Sequence, residues 1–155
     1  MRNHLAVPES AMSDSWQSGG CFCGRVRYRV RGEPVLSAGC TCTSCVKSSG
    51  APYMAWVGFD RDNIEVTMGE EKLYLSRPGI RRGFCGHCGT TLSYRINPSE
   101  APDIAGTISP DGIDDARTVY IATATLDKPE RFPPTNISFW DEHIDWLKIE
   151  GVDKA

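Results

Sequence analysis

Between residues 25 and 31 polar and apolar positions alternate without interruption. Val26, Tyr28 and Val30 fall on one side and four arginines on the other. A period of two is the signature of a half-buried strand. Gly32 and Pro34 end it, and its arginines read as a solvated or edge-protecting face rather than an anion site. A shorter strand is predicted over 35–38, running into Cys40. Residues 44–49 fit a short helical turn stopped by Gly50 and Pro52. The next strand, over 53–59, puts Tyr53, Ala55, Val57 and Phe59 on one face. Core packing is the common role of strand aromatics such as Tyr53 and Trp56, with a pocket lining as the other reading. Further strands are predicted over 64–68, 72–76, 80–84, 90–96 and 118–126. Turn residues such as Asp60-Arg61-Asp62-Asn63 and Arg77-Pro78-Gly79 separate them. Strand signals recur at roughly ten-residue spacing with no long helical pattern, which predicts a mainly β, antiparallel architecture.

The same pattern divides the chain. Residues 1–15 are polar without sustained periodicity and read as an N-terminal tail, 16–147 as a single domain, and 148–155 as a C-terminal tail. Within the domain, 97–117 is a long excursion holding Pro98, Pro102, Pro110, Gly106 and Gly112. A long loop inside a compact domain is often functional. A chain of 155 residues suits one domain. Its formal charge of −3, from 17 Lys and Arg against 20 Asp and Glu, argues against bulk attraction to nucleic acid or anionic membrane. No apolar run is long enough to span a bilayer, and the first residues carry no apolar segment of the signal-peptide kind. A cytoplasmic protein is expected.

Seven cysteines change the picture. In a reducing compartment a disulfide framework is disfavoured and metal binding is the first reading. All seven fall in three tight groups: Cys21-x-Cys23, Cys40-x-Cys42-x2-Cys45 and Cys85-x2-Cys88. Close spacing lets one turn aim two sulfurs at one point, as a tetrahedral zinc site requires. Gly19, Gly20 and Gly24 flank the first group and Gly86 and Gly89 the third, where glycine permits positive φ and turns N–H groups toward thiolates. Cys85-Gly86-His87-Cys88-Gly89 therefore reads as a zinc knuckle. Cys21, Cys23, Cys85 and Cys88 together make the four ligands of a structural zinc, and Cys40, Cys42 and Cys45 make a second site with a vacant fourth position, the mark of catalytic zinc. In the alternative pairing Cys40 and Cys42 join the knuckle. A further alternative closes the middle site with His87, His143 or a carboxylate. His87 is expected to point outward from the knuckle, and His143 to be a solvated surface residue.

These motifs resemble the glutathione-dependent formaldehyde-activating family, which includes centromere protein V. The resemblance rests on Gly19-Gly20-Cys21-Phe22-Cys23-Gly24 with Val26-Arg27-Tyr28, on the run from Cys40 through Ser49-Gly50-Ala51-Pro52, on Arg82-Gly83-Phe84-Cys85-Gly86-His87-Cys88-Gly89-Thr90, and on Leu126-Asp127-Lys128-Pro129. It implies a β-tent fold of stacked antiparallel sheets, stabilised by zinc. It implies two zinc ions per chain: a structural zinc on Cys21, Cys23, Cys85 and Cys88 and a catalytic zinc on Cys40, Cys42 and Cys45. It also implies a carbon–sulfur lyase reaction that joins the thiol of glutathione to formaldehyde, giving S-hydroxymethylglutathione. Many relatives carry a histidine before the late aromatic segment, where this chain has Asn136-Ile137-Ser138-Phe139-Trp140.

Zinc held by three thiolates carries a formal charge of −1 and suits a thiol nucleophile better than carbonyl activation. A glutathione-like substrate also brings carboxylates, for which Lys47, Arg81 and Arg82 are the candidate partners, since they lie close in sequence to metal ligands. The competing function is a zinc-stabilised module that binds a thiol or a protein without turnover.

Overall fold

The computed structural model describes residues 15–101 and 112–155. The N-terminal tail up to residue 14 and the middle of the 97–117 excursion lie outside the described residues. In chain order the strands are β1 (Gln17–Gly20), β2 (Arg27–Val30), β3 (Leu36–Cys40), β4 (Met54–Asp60), β5 (Ile64–Met68), β6 (Lys72–Arg77), β7 (Ile80–Phe84), β8 (Thr91–Ile96), β9 (Thr118–Ala122), β10 (Asn136–Ser138) and β11 (Asp153–Lys154). One helix, α1 (Thr43–Ser49), follows β3. They form two sheets, one of three strands in the order β1-β2-β5 and one of eight in the order β11-β10-β3-β4-β9-β8-β7-β6. The class is mainly β, as the alternation predicts.

Two features differ from a purely antiparallel reading. β10 runs parallel to both β3 and β11, so the larger sheet is mixed. The strand β11 also falls inside the segment read as a C-terminal tail, where Ala155 N–H bonds the Ile137 carbonyl at 2.8 Å. Neither short strand has an alternating pattern of its own. Their pairing comes from distant chain segments, which periodicity does not register. A third difference concerns β2. It is the middle strand of the small sheet, so its arginines protect no edge. Arg27 pairs with Asp127, Arg29 with Glu65, and the guanidinium groups of Arg29 and Arg31 lie over the Trp16 ring at 4.3 and 4.9 Å.

The core has two parts, on opposite faces of the larger sheet. On one face Val57, Phe59, Val119, Ile121 and Leu92 meet Val26, Tyr28 and Val30 of the small sheet. On the other, Trp56, Tyr94, Tyr120, Ala122 and Ile96 pack with Cys40 and Cys45. The alternation of β4 explains the split, because Val57 and Phe59 point one way and Trp56 the other. β9 is buried along its whole length, as a central strand covered on both sides must be. Trp56 is core, meeting Tyr94 edge-on at 4.7 Å, and Tyr94 stacks on Tyr120 at 4.4 Å.

β1 has no strand signal in its Gln-Ser-Gly-Gly sequence. It forms because nothing larger than glycine fits: a Cβ at Gly19 would lie 2.5 Å from the Tyr28 ring, and one at Gly20 would lie 2.4 Å from the Val26 carbonyl oxygen. Close approach, not positive φ, is what these two glycines supply. Gly24 and Gly89, by contrast, do adopt positive φ beside the cysteines, at 76° and 78°.

Candidate metal centres and the cavity beside one of them

The two metal-ligand groups are assembled by different means. Cys21 and Cys23 sit on the turn between β1 and β2, and Cys85 and Cys88 on the turn between β7 and β8. Register within each hairpin fixes each pair, and packing of the small sheet on the large one brings the pairs together. The four sulfurs lie within 4.8 Å of one another, with Cys21 to Cys23 at 3.5 Å and Cys23 to Cys85 at 3.8 Å. Tetrahedral zinc with sulfur at about 2.3 Å needs sulfurs about 3.8 Å apart. The donor set fits that ion.

Local donors point at these sulfurs. Val26 N–H reaches Cys21 Sγ at 3.3 Å, His87 N–H reaches Cys85 Sγ at 3.4 Å, and the Thr90 hydroxyl lies 3.1 Å from Cys88 Sγ. The Thr90 hydroxyl and backbone N–H bring the Cys88 thiol down to about 5. The Arg25 N–H lowers Cys23, but burial and the neighbouring sulfurs outweigh it and push that thiol up to about 11.

Cys40, Cys42 and Cys45 come from one short segment, the end of β3 and the first turn of α1. Cys42 is the N-cap of that helix, with its sulfur accepting from Cys45 N–H at 3.4 Å. Gly50, at φ 69°, closes the helix after seven residues, as its place in the sequence implies. These three sulfurs also lie within 4.8 Å of one another, and among the described residues no histidine or carboxylate joins them. His87 is exposed on its knuckle, and His143 stacks on Trp140 at 4.1 Å. Hydrogen bonds from Cys40 and then Cys45 hold the Cys42 thiol at about 2, while the bonds to Cys42 and Cys45, with burial, push Cys40 far up.

The two groups therefore match the split drawn from spacing, and the alternative pairing of Cys40 and Cys42 with the knuckle does not occur. The three-cysteine group opens into a cavity of about 860 Å³. Lys47, Arg77 and Arg82 line it, with Glu142 the one acidic side chain on its wall among the described residues. Tyr74, Phe84, Tyr94 and Phe139 supply apolar surface. Arg82 donates to Ser48 Oγ at 3.2 Å and lies 5.9 Å above the Tyr94 ring. Arg81, its neighbour on β7, points to the other side by strand alternation. Its guanidinium lies 3.6 Å from Glu100 and does not line the cavity. Arg77, at the end of β6 in the local β6–β7 hairpin, and Glu142, brought in by its long-range bonds to Thr43, carried no sequence signal, because neither lies beside a metal ligand in the sequence.

Residues 16–142 match the family described as "Glutathione-dependent formaldehyde-activating enzyme". The chain belongs to that family. A crystal structure gives a second likeness: a Rhodobacter sphaeroides protein solved in a structural genomics programme superposes with a TM-score of 0.50 at 19% identity. The match covers 71% of this chain and 87% of that one and bears on the fold alone. Among the described residues no helix is long and apolar enough to cross a membrane.

Proposed function

We propose that this family member is a carbon–sulfur lyase that joins the thiol of glutathione, or of a similar carboxylated thiol, to formaldehyde or another small aldehyde, and catalyses the reverse cleavage. One observation carries the reading. Cys40, Cys42 and Cys45 stand in the wall of a cationic cavity of about 860 Å³, with no fourth protein donor beside them among the described residues. In this reading Cys21, Cys23, Cys85 and Cys88 hold a structural zinc and Cys40, Cys42 and Cys45 a second one, two per chain. Zinc in the three-cysteine site supplies, when bound, a vacant coordination position and the charge that keeps a thiol ionised at neutral pH.

The chain's own residues do the rest. Lys47 and Arg82 receive the carboxylates of the thiol substrate and orient its sulfur toward the cysteine wall. Tyr94 and Phe139 exclude water from the reacting atoms. The net change needs no further reactant. One carbon–sulfur bond forms, the carbonyl becomes a hydroxyl, and the thiol proton ends on that oxygen. None of the seven cysteines is in a disulfide, and the proposed place of work is a reducing compartment, the cytoplasm. The partners are small molecules, with neither nucleic acid nor membrane among them.

The test is metal analysis followed by titration of cobalt(II)-substituted protein with glutathione. The expected outcome is two metals per chain and a ligand-field spectrum that changes on adding thiol, together with adduct formation from formaldehyde followed by NMR. A spectrum indifferent to thiols would instead favour a structural or protein-binding module and end the enzyme reading.

A further inference from the structure

The segment that runs from β10 into the turn at Trp140–Glu142 pairs with the end of β3 and then crosses the three-cysteine loop, where its side-chain hydrogen bonds go to the residues between the ligands. Thr41 N–H donates to the Ser138 carbonyl at 3.2 Å, and the Thr41 hydroxyl donates to the carbonyls of Ser138 and Phe139. Thr43 gives both its N–H and its hydroxyl to Glu142 Oε2, at 2.8 and 3.1 Å. Thr41 is fully buried, and Glu142 is exposed on the cavity wall. Cys40, Thr41, Cys42 and Thr43 thus alternate sulfur inward and polar bond outward.

A second, independent observation marks the same segment. Phe139 has φ 59° and ψ 40°, the left-handed region, and is the one non-glycine residue with positive φ among those described. Such a conformation disfavours a side chain and persists where surrounding structure over-determines it, most often at functional sites. Here the parallel pairing of Ser138 with Cys40 fixes one side, and the Thr41 hydroxyl takes the carbonyl on the other. Held this way, the Phe139 ring lines the cavity.

We infer that residues 138–142 are a positioning strap: through Thr41 and Thr43 they hold Cys40, Cys42 and Cys45 at ligand spacing. Thr41 and Glu142 are positioning residues, touching no substrate in this role. The inference rests on the reading that these three cysteines hold a metal, but not on turnover.

Zinc retention against a competing chelator, without thiol, separates the two. Outer partners of metal ligands typically tune affinity by about 10–100-fold. Thr41→Val and Glu142→Ala should weaken one of the two zincs by that factor and leave the other unchanged. Thr41→Ser and Glu142→Gln, which keep the bonding groups, should restore it. Glu142 is exposed, so its variants test the strap even where Thr41→Val fails to fold. Folded variants that keep wild-type retention of both zincs, or lose both together, overturn the strap. If wild type holds both zincs and the variants behave as expected while thiols leave the cobalt spectrum unchanged, the enzyme reading fails and the strap stands. If thiols change the cobalt spectrum while the variants leave zinc retention untouched, the strap fails and the enzyme reading stands.

Discussion

Phe139 carries a backbone conformation that glycine adopts freely and other L-residues at a cost of about 1–2 kcal/mol. Phe139→Gly should therefore be more stable than Phe139→Ala by about 1 kcal/mol, although alanine outranks glycine inside regular elements. Both variants lose the same ring contacts to within a methyl group, so urea denaturation of the pair isolates the backbone. Equal stabilities would mean that residue 139 does not hold this conformation in solution. A second comparison concerns neighbouring arginines. Arg82 lines the cavity beside Cys45, whereas Arg81 faces Glu100. If Arg82 receives a substrate carboxylate, Arg82→Gln should raise KM for glutathione by about 10-fold or more, the worth of one hydrogen bond to a charged group. Arg81→Gln should leave KM near wild type. Initial-rate kinetics on both variants checks this, and equal effects would remove the specific role of Arg82. Proximity in sequence to a ligand nominated both residues. Only the alternation of β7 distinguishes them, and that requires knowing which face of the strand the cavity occupies.

At the level of elements, β3 carries Cys40 and takes its alignment from β10 through an unusually close contact. A Cβ at Gly39 would stand 3.1 Å from Cγ1 of Ile137 and 3.5 Å from the Tyr53 ring, and Ile137 is buried in register with Gly39. Gly39→Ala should push the two strands apart, cost about 1–3 kcal/mol by overpacking, and, on the proposed reading, loosen the metal at Cys40 next to it. Thermal melting and chelator competition on this variant read the two effects, and a variant as stable as wild type would show that the strands can shift without cost. This contact also shows what pattern reading reaches and what it misses. β2 and β4 follow from alternation within their own residues, and α1 from Gly50 and Pro52. β10 is three residues, Asn136–Ser138, whose strand state is imposed by β3 on one side and β11 on the other. The predicted strand over 118–126 stops at Ala122 although Thr123, Thr125 and Leu126 suit a strand. There the Thr125 hydroxyl bonds the Ala122 carbonyl at 2.7 Å and Tyr28 Oη at 2.6 Å. Tertiary packing overrides local propensity at that turn.

Across the whole molecule the two cysteine groups stand on opposite faces of the larger sheet, and this sets different duties for them. The four-cysteine group ties the turn between β1 and β2 to the turn between β7 and β8, so it joins the two sheets. The ligands are 62 residues apart between Cys23 and Cys85. The three-cysteine group spans one local segment and joins nothing remote by its sulfurs. The grouping of the cysteines was legible in the sequence, because clustered cysteines with glycines beside them are local features. Their division between faces was not, since it depends on how β1 and β2 pack over β7 and β8. From that division a difference in stability follows. Metal that closes a long chain loop contributes its binding free energy to folding, and loop-closure entropy grows with the length enclosed. Cys88→Ser should therefore uncouple the small sheet and lower the melting temperature by many degrees, with loss of the second metal as the fold is lost. Cys42→Ser should leave the β-sheet circular dichroism and most of the melting temperature intact, keep one zinc, and abolish the thiol-induced change at the other site. Chelator treatment of wild type should reproduce this order, the cavity metal leaving first with the fold preserved and the sheet-joining metal leaving with cooperative unfolding. Equal destabilisation by Cys42→Ser and Cys88→Ser would show that both groups hold the fold together and would refute the division between a tie and an open site.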